Sequence, residues 1–205
     1  MSTQTTSSDA SEATPAGPRS RSQTQRRKRI VQAAAALASR GGVEAMQMRT
    51  VAERAGVALG TLYRYFPSKM DLVVAVVAEE LDLLEASFKR RPPTGDDSAR
   101  RAVDVLVRAT RGLMREPELA DALVRSLILT NEDTTVGDRL VELMMRVATG
   151  DDAAVMDPDS ERHVLVSSLV SVWTTHLLGI LRDSYGIETV QSRLEVAADR
   201  LLADF

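Results

Sequence analysis

The sequence contains no cysteine. That excludes a disulfide framework, a thiolate metal site and a cysteine nucleophile, and it fits a reducing cytoplasm. Aromatic residues are scarce at 3 %, with one Trp, three Tyr and three Phe. The two histidines, His163 and His176, would need carboxylates to complete a metal site, so ordinary surface or pocket roles are expected and no metal. No nucleophile motif surrounds any serine and no glycine-rich phosphate loop is present, so neither catalysis nor a cofactor is expected. The first twenty residues lack the apolar core of a secretory signal. The apolar stretches read as helical stripes broken by charges, none approaching the roughly 20 residues of a membrane span. The expectation is a soluble, cytoplasmic protein without a membrane partner.

What is present is an ordinary globular composition, 44 % hydrophobic and 27 % charged, with a net charge of -3. Taken alone, that charge speaks against a nucleic-acid partner. Its distribution speaks for one. Residues 1–69 hold eleven Lys or Arg against four Asp or Glu, and residues 70–205 hold fifteen against twenty-five. A basic head on an acidic body suits a chain that meets a polyanion at one end only.

Helical periodicity runs through the chain and no period-2 alternation competes with it, so the fold class is all-α, with about nine helices. Residues 1–22, rich in Ser, Thr, Pro and Ala, read as a disordered tail. Residues 23–69 read as one domain and 70–205 as a second. In the first, a helix over Gln23–Arg40 buries Ile30, Ala33, Ala34, Leu37 and Ala38 and stops at Gly41-Gly42. A short helix over Met48–Ala55 ends at Gly56. Another over Ala58–Tyr65 ends before Pro67. Ser68 and Asp71 have the spacing that starts a helix, and a long helix follows to about Lys89. Further helices are expected over 98–115, from Pro117, over Val136–Thr149, from Asp159 or Ser160 to about Tyr185, and over Glu188–Ala203. Gly150–Asp159 reads as an acidic loop.

Two short helices joined at Gly56 make a helix-turn-helix. Val51, Ala52 and Ala55 form the inner face of the first, Val57 plugs the corner, and Ala58, Leu62 and Phe66 anchor the second. Leu59, Gly60, Thr61, Tyr63 and Arg64 are left pointing outward. The N-terminal residues of such a second helix enter the major groove of double-stranded DNA. Thr61 suits a base edge or a thymine methyl. Arg49, Tyr63, Tyr65 and Lys69 suit phosphates, which position a protein without specifying sequence. The run Arg26-Arg27-Lys28-Arg29 adds Arg27 and Lys28 as candidate backbone or minor-groove contacts.

The stretch Arg27–Leu72, above all Gly60-Thr61-Leu62-Tyr63-Arg64-Tyr65-Phe66-Pro67-Ser68-Lys69, resembles the DNA-binding domain of the TetR family of bacterial repressors. The resemblance implies a nine-helix homodimer: three helices on an operator half-site, four around a small-molecule pocket, and the last two in a dimer bundle. At the position of Gln47 the family has Thr or Ser, which caps the helix and touches a phosphate. Gln caps poorly, so Gln47 is the weakest of the expected contacts. Arg26–Ile30, Gly41–Arg49 and Val172–Leu178 are similar to the KstR-type regulators of steroid catabolism in actinobacteria.

The expected function is therefore ligand-responsive repression, with release from the operator by an apolar, steroid- or acyl-CoA-like effector. Leu106, Leu123, Leu127, Met144, Trp173 and His176 are the candidate pocket residues. Trp173 and His176, three apart on one helix, fit pocket lining or dimer packing, with the pocket preferred. Met114, Met144, Met145 and Met156 suggest an adaptable apolar lining. The alternative is a ligand-independent nucleoid or division factor, whose pocket would be filled by its own side chains.

Overall fold

A computed structural model describes residues 18–129, 135–151 and 157–205, with backbone alone at 18–20, 126–129 and 135. Among these residues there are nine helices and no strand: α1 Pro18–Ala45, α2 Met48–Ala55, α3 Leu59–Tyr65, α4 Lys69–Arg90, α5 Ser98–Leu113, α6 Pro117–Leu129, α7 Thr135–Thr149, α8 Glu161–Leu181 and α9 Ile187–Leu201. The all-α class is as the periodicity predicts. Residues 152–156 of the loop expected over Gly150–Asp159, Met156 included, and the first 17 residues lie outside the described residues.

Helix α1 begins earlier than expected. Pro18 takes a first-turn position, where its missing N–H costs nothing. The segment read as the end of a tail, 18–22, is helical. No Gly or Pro interrupts Arg19–Arg29, and Arg and Gln have helix propensities close to alanine's. A helix already nucleated over Ile30–Ala38 therefore extends backward at little cost. The glycine stop holds: Gly41 and Gly42 leave helical geometry, Gly42 with φ 62°. One more turn, Val43–Ala45, leads to α2.

The punctuation of the head is local chemistry. Gly56 sits in the left-handed region at φ 65° and its N–H donates to the Glu53 carbonyl at 3.1 Å, while the Val57 N–H donates to the Ala52 carbonyl at 3.0 Å. Ser68 and Asp71 form a reciprocal capping box. The Asp71 N–H donates to Ser68 Oγ at 3.1 Å and the Ser68 N–H donates to Asp71 Oδ2 at 2.8 Å. Asp97 caps α5 by accepting from the Arg100 N–H at 2.8 Å.

Two apolar cores result. The first joins Ile30, Ala34, Val51, Leu62, Phe66 and Leu72–Val77, and it also takes in Leu119, Leu123 and Val136. The second joins Phe88, Leu106, Met144, Leu169, Trp173 and Leu194. Packing thus does not divide at Lys69, the boundary read from the sequence. The first half of α4 belongs to the head, its last turns to the body, and α1 packs along α6. Arg139 to Asp82 at 2.5 Å and Arg146 to Glu85 at 3.1 Å tie α7 to α4.

Helix α8 corrects two expectations. It ends at Leu181, not near Tyr185. The chain turns at Asp183, φ 53°, and brings the Tyr185 ring back over Gly179, so close that a Cβ there would lie 2.1 Å from the phenol. Also, Val164–Leu181 carries no Asp, Glu, Lys or Arg, so this one helix is long and apolar enough to span a membrane by length and composition. The sequence predicts apolar stretches broken by charges, and this stretch contains no such break. Val166, Leu169, Val170, Trp173 and Leu177 bury one side of α8 in the second core, yet only 28 % of its most apolar window is buried.

Replacing Ser68 with Ala removes one half of the capping box. The expected loss is about 1 kcal/mol, read as a fall in Tm of about 2–4 °C for a chain of this size. An unchanged thermal melt would show that the cap contributes nothing to folding.

Candidate nucleic-acid interface and adjoining cavity

The helix-turn-helix is held from inside by Val51, Ala52, Ala55, Leu62 and Phe66, none more than 7 % exposed, with Met46 at 1 % below them. Small Ala52 lets α3 cross close over α2. What α3 presents outward is narrower than the sequence suggested. Gly60, Tyr63 and Arg64 are exposed, Tyr63 at 46 %, and Thr61 is half-exposed. Leu59 and Tyr65 are half-buried against the head core, and Ala58, expected as an anchor, is the exposed N-cap. In a helix of seven residues the inner and outer faces share the same two turns, so the flanking positions straddle both.

Gly60 has no internal explanation. A Cβ there would meet nothing within 4 Å, so the protein's own packing does not require glycine. It costs the helix about 1 kcal/mol relative to alanine and leaves a smooth outer surface. Arg49 and Gln47 are exposed at the start of α2, where the Gln47 side chain makes no capping bond. Lys69, half-exposed, begins α4. Arg27 and Lys28 are both engaged within the protein. The Arg27 guanidinium lies over the Phe66 ring at 5.3 Å, and Lys28 Nζ is 3.8 Å from Glu79 of α4.

Beyond the head lies a cavity of about 570 Å³. Its apolar wall comes from Val77, Leu81 and Leu84 of α4, Ala109 and Leu113 of α5, Leu123 and Val124 of α6, Val136 and Leu140 of α7, and Trp173 and Leu177 of α8. Its polar groups are Glu80, Ser87, Thr174 and four arginines, Arg91, Arg108, Arg111 and Arg115. Arg108 is held: it donates to the Arg91 carbonyl at 2.9 Å, pairs with Asp104 at 3.3 Å and lies over Phe88 at 5.2 Å. Burial, then the charges of Glu116 and Glu79, raises the Glu80 pKa. The indole of Trp173 is fixed in the wall. Its N–H donates to Thr110 Oγ1 at 2.9 Å, and that hydroxyl donates to the Leu106 carbonyl at 2.7 Å.

Of the pocket residues expected from sequence, Leu123 and Trp173 line this cavity. Leu106 and Met144, each 1 % exposed, are solid core and not wall. His176 turns away: its Nδ1 lies 2.9 Å from the Tyr185 hydroxyl, and burial together with Arg193 lowers its pKa. Leu127 lies in α6, its side chain outside the described residues. Met114, Met144 and Met145 are absent from the lining. The sequence reading missed the contribution of α4 and the arginines. Arg108, Arg111 and Arg115 recur at i, i+3 and i+7 along and just past α5, a stripe that periodicity alone could have flagged.

Residues 30–76 match the family described as bacterial regulatory proteins, tetR family, and residues 95–201 match the tetracyclin repressor-like C-terminal domain. The chain belongs to the TetR family of transcriptional regulators. It is 37 % identical over 190 residues to the HTH-type transcriptional repressor KstR of Rhodococcus jostii, covering 90 % of this chain and 86 % of that one. It is 34 % identical to the KstR repressor of Mycobacterium tuberculosis, covering 90 % and 84 %. The crystal structure of a TetR transcriptional regulator from Rhodococcus sp. RHA1 superposes with a TM-score of 0.74 at 33 % identity, covering 91 % of this chain and 99 % of that one. The two TetR-family matches leave 77–94 between them, and that gap is the second half of α4 and its exit, the segment the two cores share.

Thr110→Val leaves the buried Trp173 N–H without a partner, at an expected cost of about 1–3 kcal/mol. Trp173 is the single tryptophan, so its emission should shift as well. Thr110→Ser should restore both. Identical melts and spectra for wild type and the valine variant would contradict this wall.

Proposed function

We propose that this TetR-family protein is a homodimeric repressor that holds duplex operator DNA through α3 and releases it when a small apolar molecule fills the cavity bounded by α4 and α8. The observation that carries the DNA half is the outward face of α3. Gly60 serves no internal packing, and Tyr63 and Arg64 project beside it. Gly60 lets the backbone approach the groove, Thr61 meets a base edge, and Arg64 and Tyr63 reach bases or phosphates. Arg49, Lys69 and the outer edge of Tyr65 meet flanking phosphates. Gln47 is exposed and uncapped, and it remains the weakest member of this set.

The repressor reading follows the KstR relatives, which are named as repressors. The effector reading follows the cavity. About 570 Å³ of space bounded by aliphatic side chains and one indole falls within the range of about 300–1,000 Å³ that holds small ligands. That open volume favours a ligand-responsive regulator over a ligand-independent DNA-binding factor. Arg91, Arg111 and Arg115 favour an apolar body carrying an anionic group, as in an acyl-CoA or a steroid thioester. The dimer reading follows α8 and α9, which expose Val164 at 52 % and Val196 at 67 %. The half-covered α8 suits a second copy of the same bundle better than lipid, because Ser167, Ser171 and Thr175 punctuate it. Such a repressor acts in the cytoplasm.

Tyr63→Ala combined with Arg64→Ala removes two exposed side chains and no core. In a gel shift on the DNA upstream of the protein's own gene, at fixed salt, affinity should fall tenfold or more while helicity and dimer mass stay unchanged. Unaltered affinity would overturn the assignment of α3. A steroid or acyl-CoA that quenches Trp173 should also release the DNA, and operator DNA should weaken its binding by the same factor.

A further inference from the structure

We propose that Arg27 is a positioning residue for the recognition helix and not a DNA contact: its guanidinium, above the Phe66 ring, holds the C-terminal end of α3 so that Gly60, Thr61, Tyr63 and Arg64 meet the duplex in register. The inference rests on the DNA-binding reading of α3, and it reassigns a side chain that the sequence alone marks for the DNA backbone or minor groove.

The recognition helix needs support from outside itself. It has seven residues, Leu59–Tyr65, and a helix shorter than about 12–15 residues does not hold itself in water. Its N-cap, Ala58, makes no side-chain capping bond, and its C-cap, Phe66, contributes only a backbone N–H, donated to the Leu62 carbonyl at 2.9 Å. Within the helix Leu62 alone is fully buried. Among the helix pairs of the described residues, α3 packs chiefly on α2. Its C-terminal end is therefore fixed by the Phe66 ring, 2 % exposed, and by what holds that ring.

Arg27 holds it from α1. Its guanidinium carbon lies 5.3 Å from the centroid of the Phe66 ring, inside the roughly 6 Å over which a cation is drawn to an aromatic face. Three residues on, Ile30 is wholly buried in the head core, so Arg27 springs from a helix anchored in the same core as Phe66. On the same turn Lys28 reaches Glu79 of α4 at 3.8 Å. The lever is short and sensitive. Thr61 stands five residues from Phe66, and a tilt of about 10° there moves it by about 1.3 Å. A hydrogen bond of about 2.9 Å to a base edge does not survive that shift.

A guanidinium above a ring keeps N–H donors at its edge, so a phosphate contact is the rival role. The two roles differ in what they need. A phosphate contact needs charge and is indifferent to Phe66. A clamp needs the ring.

Two measurements on the full-length protein separate them, both on Arg27→Gln, which keeps helix propensity. The first needs no DNA. Hydrogen–deuterium exchange by mass spectrometry should be about two- to fivefold faster in peptides covering 59–66, the range set by an exposed cation–π pair, and unchanged in α5 and α8. The second is affinity for the duplex upstream of the protein's own gene across a salt series. With both heads affected, Arg27→Gln should bind about 5- to 30-fold more weakly per dimer. In a Phe66→Leu background the same change should cost less than twofold; should that background fail to fold, exchange and salt slope decide on Arg27→Gln alone. Wild-type exchange in α3, with a slope of log K against log salt lowered by about 1.8 per dimer for two lost phosphate contacts, overturns the proposal and returns Arg27 to the DNA backbone. Faster exchange with wild-type affinity overturns its role in recognition. Failure of the wild-type protein to bind the duplex at any salt overturns the DNA-binding reading, and the exchange data then show separately whether Arg27 holds α3.

Discussion

Helix α4 is buried by two different partners along one rod. Its first two turns, Leu72–Val77, are part of the head core, and Phe88 at its far end is part of the body core. Between them Val77, Leu81 and Leu84 form one wall of the cavity. Apolar burial of this kind contributes about 25 cal/mol per Å² removed from water, so neither end is free to detach. Whatever fills the cavity touches the same helix that carries the head. Ion pairs from Arg139 and Arg146 hold the outer side of that rod to α7, and α1 lies along α6. The head therefore has two attachments to the body, α4 through its own chain and α1 through packing against α6.

The surface follows the same division of labour. Inside the head small residues, Ala34, Ala38, Ala52 and Ala55, bring helices close; outside it Gly60, Tyr63 and Arg64 are exposed. The body spends its charge differently. Arg108 is tied down by Asp104, a carbonyl and the Phe88 ring, while Arg111 and Arg115 stay exposed at the cavity. Burial, then the charges of Glu116 and Glu79, raise the Glu80 pKa in the same cavity wall.

Much of this was legible in the sequence wherever the determinant is local. The Met48–Ala55 helix, the left-handed Gly56 and the Ser68–Asp71 box all follow from neighbouring residues, and the structure reproduces them to the residue. Long-range determinants were not legible. The early end of α8 depends on Tyr185 folding over Gly179, which no helical periodicity encodes. The start of α1 was hidden because a polar, charge-rich segment looks alike as tail or as helix. Cavity walls were confused with core for a related reason: Leu106 and Met144 carry the same apolar pattern as Leu81 and Leu84, and only the packing of α7 and α8 decides which of them face empty space. Leu59 and Tyr65 misled because a two-turn helix has few positions that belong wholly to one face.

Release of DNA on filling the cavity, as proposed, requires the two heads of the dimer to change their spacing. The absence of native cysteine makes a direct measurement simple, since a single cysteine in place of exposed Arg54 takes one spin label per protomer. Recognition helices that fit one face of DNA lie about 34–36 Å apart, and the label-to-label distance by double electron–electron resonance reports any departure from that geometry. The account predicts one narrow distribution for the operator-bound dimer and a displaced one when a ligand that quenches Trp173 is present. The same distribution with and without such a ligand would contradict it.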